Sequence, residues 1–144
     1  EIDLTDNALL QIDENNANPD TLIKRIPLDN VQDIRVDTPP AGVTAPNPPN
    51  YGNISFTTDS VGHQEGSTTV SGHSIWVARF ESQGTVVDTA GNPVSATIYI
   101  WPPTAPASSV SRSKGEIRAI TLFGGSGALR YWKYNGTTFV ASTQ

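Results

Sequence analysis

The chain of 144 residues contains no cysteine and no methionine. The missing cysteine excludes a disulfide scaffold, a thiolate metal site and a cysteine nucleophile together. A chain of this length buries a core without such staples, so the absence limits chemistry rather than foldability. The missing methionine leads us to expect that Glu1 follows a processed or removed segment. No apolar run reaches the roughly 20 residues that cross a bilayer, and no signal peptide is visible. Any anchor or export signal is therefore expected upstream of Glu1.

Positive charge is also scarce, with nine lysines and arginines against 14 acids. Residues 1–40 hold nine acids against Lys24, Arg25 and Arg35, a net of −6, whereas the remainder holds five acids against six basic residues, a net of +1. An acidic first third argues against nucleic acid or an anionic membrane surface as a partner.

Alternation of period two fills much of what remains, as expected of strands whose successive side chains face opposite ways. Ile75, Val77 and Arg79 alternate with Trp76, Ala78 and Phe80; Ile98 and Ile100 with Thr97, Tyr99 and Trp101; Ile117 and Ala119 with Arg118, Ile120 and Leu122. Val, Ile, Thr and aromatic residues, which favour strands, supply these runs. Turn sequences lie between them. Asn135-Gly136 predicts a type I′ hairpin between residues 130–134 and 137–141. Ala90-Gly91-Asn92-Pro93 predicts a second hairpin, and Gly124-Gly125-Ser126-Gly127 a third. Short turns imply antiparallel pairing.

Two proline-rich stretches interrupt the pattern. Residues 38–50 carry five prolines and residues 101–113 carry three. Neither fits a helix interior or a central strand, and both read as long surface loops. Ahead of them, residues 2–4, 9–12 and 31–36 read as short strands, and residues 21–26 as either a strand or a single helical turn. The expected fold is all-β, with antiparallel sheets packed as a sandwich or a strongly curved sheet and long Pro-rich loops. We divide the single β-rich domain, 1–144, into acidic N-terminal strands and loops (1–37), a Pro-rich loop (38–50) and a main β core (51–144).

Candidate sites are few. Ser126, in Gly124-Gly125-Ser126-Gly127-Ala128, nearly matches a nucleophile elbow, but an elbow needs a helix after the serine and a strand pattern follows here. His63 and His73, with Glu65, offer zinc-type ligands in a Gly/Ser/Thr-rich stretch that reads as loop. Asp13, Asn15 and Asp20 resemble part of a calcium loop, but no glycine stands at the required sharp turn. An Asn/Asp turn accounts for them better. Trp76, Trp101 and Trp132 sit in alternating strands, where core packing is the default; Trp101, beside Pro102-Pro103, is the one expected to be exposed. Asn53-Ile54-Ser55 and Asn135-Gly136-Thr137 match the glycosylation sequon, which matters only in a eukaryotic secretory pathway. Acid, base and nucleophile do not converge, so catalytic, cofactor-binding and metal-binding residues are all assigned as none.

The last third carries a resemblance. Gly115-Glu116-Ile117-Arg118-Ala119-Ile120-Thr121-Leu122, followed by Gly127-Ala128-Leu129-Arg130-Tyr131-Trp132-Lys133, resembles the closing hairpin of minor pseudopilins and type IV pilin-like proteins of the GspH/FimT kind. Ile54-Ser55-Phe56 with Gly62, and Thr97-Ile98-Tyr99-Ile100, look like earlier strands of the same globular head; the likeness covers residues 51–140. Proteins of this family begin with a long hydrophobic helix, which this sequence lacks. The resemblance implies a non-enzymatic filament subunit without cofactor, located in the cell envelope or outside the cell (periplasm, pilus or cell surface). Its partners would be other pilin-like subunits or secretion components, with no nucleic acid. The membrane would be reached only through the missing helix, and the isolated domain would be monomeric. The alternative is an extracellular carbohydrate- or protein-binding β-sandwich module.

Overall fold

The computed structural model describes residues 1–14, 19–28, 33–47, 49, 52, 54, 57–88 and 90–142. The architecture is all-β, built of strongly curled and mainly antiparallel sheets, with no α-helix among the described residues. The strands are β1 (Ile2–Asp3), β2 (Ala8–Asp13), β3 (Asp20–Pro27), β4 (Arg35–Asp37), β5 (Thr57–Thr58), β6 (His63–Glu65), β7 (Thr68–Val70), β8 (Ser74–Trp76), β9 (Arg79–Phe80), β10 (Val86–Val87), β11 (Ala96–Trp101), β12 (Arg118–Phe123), β13 (Ala128–Tyr134) and β14 (Phe139–Ala141). A single 3₁₀ turn, Lys114–Glu116, precedes β12.

These strands fall into two units. Glu1–Asp29 and Ser55–Val77 form the first; Asn30–Ile54 and Ala78–Gln144 form the second. The first holds one sheet in the order β5-β8-β1-β2-β3-β6-β7. Residues 20–27, ambiguous in sequence, are a strand paired with β2 through a bulge between Gln11 and Ile12. The alternating run from Ser74 to Phe80 is not one strand. Its first half, β8, pairs with β1 and β5, and its second half, β9, pairs with β10 in the other unit. Val77 and Ala78 lie in neither strand, and the hydrogen-bond partners change there.

The second unit is organised by a sheet in the order β14-β13-β12-β11-β4. Its packed face collects Tyr99, Trp101, Ala119, Trp132, Tyr134 and Phe139, joined by Ile117 and by Val43 from the first Pro-rich stretch. Polar atoms on this face are paired where they are buried, as burial requires. Trp132 Nε1 donates to Thr121 Oγ1 at 2.9 Å, and Thr121 Oγ1 lies 3.3 Å from Thr97 Oγ1. Tyr99 departs from this on the packed face: its buried hydroxyl lacks a partner, and desolvation pushes its pKa up to about 12.

Trp101 is buried, not exposed as its place beside two prolines suggests. Its Nε1 donates to the Thr38 carbonyl at 2.9 Å, and the Arg35 guanidinium lies 5.3 Å from its ring centroid. Arg35 also donates to the carbonyls of Ser108 and Pro106. The two proline-rich stretches are therefore tied to the sheet. Pro40, Pro46 and Pro103 are fully buried, so these stretches cover the core instead of running over the surface. Proline suits this work, because it buries apolar area without leaving an unpaired N–H.

The hairpins predicted at 124–127 and 135–136 are present, and the chain also turns at 88–92, where Asp88 N donates to the Asn92 carbonyl. The last hairpin is not a two-residue type I′ turn. Tyr134 pairs with Phe139, which leaves a four-residue loop. Only Gly136 adopts a positive φ there, +102°, while the Asn135 side chain accepts from the N–H groups of Thr137 and Thr138. The asparagine acts through its carboxamide instead of through a left-handed backbone. At the 124–127 turn, glycine answers to space instead: a Cβ on Gly124 would collide with the Val94 backbone.

Gly136→Val is expected to destabilise the second unit by about 1–3 kcal/mol, because a β-branched residue resists that φ although the space around it is open. The shift in the chemical denaturation midpoint measures this. An unchanged midpoint would mean that the loop tolerates another conformation at no cost.

Candidate functional site

The packed and open faces of the five-stranded sheet differ in kind. On β11 the buried residues Thr97, Tyr99 and Trp101 alternate with half-buried Ile98 and Ile100. The aliphatic side of the strand is therefore the open one. Register carries the open face across the sheet: Ile98 pairs with Ile120, and Ile120 with Tyr131; Ile100 pairs with Arg118, and Arg118 with Lys133. Val140, opposite Lys133, closes the row. Leu129 is 54% exposed, Tyr131 47% and Val140 44%. Ile100, Arg118, Ile120, Tyr131 and Lys133 line a groove on this face, with Ser142 at its edge.

The charge in the groove is of one sign. Arg118 stands directly opposite Lys133, an arrangement that costs stability when no anion intervenes. The Arg118 guanidinium donates to the carbonyls of Gly115 and Ile117, and neither cation meets a carboxylate among the described residues. The hairpin's third cation, Arg130, belongs to the opposite face, lying over the rings of Phe123 and Trp132. An open, apolar strip with two adjacent cations that meet no carboxylate among the described residues is suited to hold an apolar segment that carries acid.

The residues singled out in sequence are dispersed. Ser126 sits in the turn between β12 and β13, its Oγ accepting from Ala128 N at 3.3 Å, with a strand after it instead of a helix. His63 and His73 lie on different parts of the first unit. His63 is buried, 3.5 Å from Glu65, and its Nδ1 finds no partner among the described residues. His73 Nδ1 lies 2.7 Å from Oδ2 of Asp3, a carboxylate only 1% exposed. Asp13 ends β2 and Asp20 opens β3, whereas Asn15 lies outside the described residues. Of the tryptophans, Trp101 and Trp132 are buried and Trp76 is half-buried, so no exposed stacking platform is built from them. Asn135 is exposed; Asn53 lies outside the described residues.

Asp3, Asp6 and His73 bring three ligand-type atoms within 4.8 Å of one another, a grouping that their separation in sequence conceals. Each already has a partner. Asp3 Oδ1 accepts from the N–H groups of Thr5 and Asp6, and its Oδ2 meets His73. Asp6 pairs with Arg25 at 3.1 Å. These bonds fasten β1 to the turn after it and to the segment before β8, which is a structural use of the cluster.

The Asp3 hydrogen bond, helped by the nearby charges of Asp3, Asp6 and Asp59, raises the His73 pKa above its ordinary 6.5, against a smaller opposing desolvation. A group whose folded pKa is raised stabilises the fold fully below its unfolded value and loses that contribution as pH climbs through the folded one. The stability difference between the native chain and His73→Gln is therefore expected to be greatest below about pH 6.5 and to shrink as pH rises. Urea midpoints at a series of pH values would show it; a difference independent of pH would mean that the imidazole carries no charge in the pair. Comparison with family models, curated proteins and solved structures finds no match for this chain.

Proposed function

We propose that the chain is a non-enzymatic assembly subunit, the globular head of a pilin-like protein that works in a pilus or secretion filament of the cell envelope. The open face of the five-stranded sheet carries this reading. It includes the hairpin, residues 115–133, from which the family resemblance is drawn, and it exposes Leu129 and Tyr131, with Val140 of the neighbouring strand, beside Arg118 and Lys133. A sheet normally covers its apolar face with another layer of the same chain, and an exposed apolar strip is the usual mark of a surface met by a partner. The contact area of a single strip is small, so head-to-head affinity is low and the filament draws its main cohesion from elsewhere. The isolated chain is accordingly monomeric at micromolar concentration.

An extracellular binding module is the second reading, favoured by the same groove, since an exposed tyrosine flanked by polar groups also suits a carbohydrate. The two readings separate in one experiment. Leu129→Asp and Tyr131→Asp change exposed positions, where a substitution costs about 0.5 kcal/mol or less. Fused behind a hydrophobic N-terminal helix and expressed in a filament-forming host, the native chain is expected to enter filaments and the double variant to remain folded but unassembled. Equal incorporation of both, or tight glycan binding by the monomer that Tyr131→Asp abolishes, would favour the binding module.

A further inference from the structure

The two units carry opposite charge. The first, Glu1–Asp29 with Ser55–Val77, has nine acids against Lys24 and Arg25, a net of −7. The second, Asn30–Ile54 with Ala78–Gln144, has five acids against seven basic residues, a net of +2. Arg118 and Lys133, placed opposite each other on the open apolar face, carry part of that positive charge and meet no carboxylate among the described residues. The first unit offers the complementary chemistry: exposed Asp13 and Glu14 at the end of β2, and on the paired strand β3 the exposed apolar side chains of Ile23 and Ile26.

We infer that the open face of the second unit receives the acidic first unit of another copy of this chain. The inference rests on the assembly reading and gives it a contact and a direction. Such a contact joins different surfaces of the two copies. It is therefore heterologous, and where its rotation does not close a ring it propagates into a helical array. Apolar contact between Ile120 or Tyr131 and the incoming isoleucines supplies the attraction, while carboxylates between Arg118 and Lys133 relieve their mutual repulsion and fix the register. The opposite charge also disfavours the symmetric alternative, in which two basic faces would meet.

Two charge-exchanged variants test this: Arg118→Glu with Lys133→Glu, and Asp13→Lys with Glu14→Lys. Each is isotope-labelled and followed by amide NMR up to roughly millimolar concentration, where contacts of millimolar Kd register. The native chain is expected to show concentration-dependent shifts at β11–β13 and at β2–β3, weakening as salt shortens the range of the charges. Each variant alone is expected to lose them, and the two variants mixed are expected to recover shifts, at the altered open face of one and the altered β2 end of the other. Native shifts confined to β11–β13, absence of shifts at the highest concentration, or a mixture no different from its components would each overturn the contact. A chain that enters filaments yet fails this test refutes the contact and leaves the assembly reading standing.

Discussion

Trp101 is the fixed point of the second unit. Its indole nitrogen is satisfied by the Thr38 carbonyl, its ring is covered by Arg35, and the same guanidinium holds the carbonyls of Pro106 and Ser108. Together these contacts bring both proline-rich stretches over one face of the sheet and commit that face to the core. Burial of a residue this large contributes several kcal/mol, and truncating a buried tryptophan typically costs about 3–5 kcal/mol. The other face follows by exclusion. Side chains alternate along β11 and β12, so once Tyr99, Trp101 and Ala119 face inward, Ile98, Ile100, Arg118 and Ile120 face out.

That outcome explains the functional character of the open face. The strands carry apolar residues on both sides, as strands covered on both sides do. On the side of Arg118 and Ile120, Leu122 is buried and Ile98, Ile100 and Ile120 are half-buried, while Leu129, Tyr131 and Val140 are exposed. Exposed apolar residues beside two like charges are costly for a solitary protein. The first unit is held differently. Its buried residues are few and include Asp3 and His63, and it relies on hydrogen-bonded polar pairs such as Asp3 with His73. Its sequence is strongly acidic, whereas the groove of the second unit is basic.

Much of the second unit was legible in the sequence, because β11, β12 and β13 are long and alternate in sequence, and a glycine turn joins β12 to β13. The side that faces the core was not. Aliphatic Ile98 and Ile100 look like core residues, while Thr97, Tyr99 and Trp101 carry polar atoms; Thr97 and Trp101 turn inward onto partners, Thr121 and Thr38, that lie far along the chain, and the Tyr99 hydroxyl is buried without one. The first unit was less legible, since strands of two or three residues such as β1, β5 and β8 have too little pattern to reveal their pairing. His73 and Asp3 meet across 70 residues, which no local spacing signals. In the candidate site, Arg118 and the strand bearing Lys133 stood out through the family resemblance, but their opposition in register emerges only when the hairpin is formed with its turn at 124–127.

The central claim is that the open face of the five-stranded sheet is the surface a partner covers. Hydroxyl-radical footprinting of the chain, free and in the filament that the assembly proposal requires, tests it directly. Tyr131 and Leu129 are expected to react readily in the free chain and to be strongly protected on assembly, while buried Trp101 reacts little in either state. Equal labelling of Tyr131 and Leu129 in the free and assembled states would contradict the account.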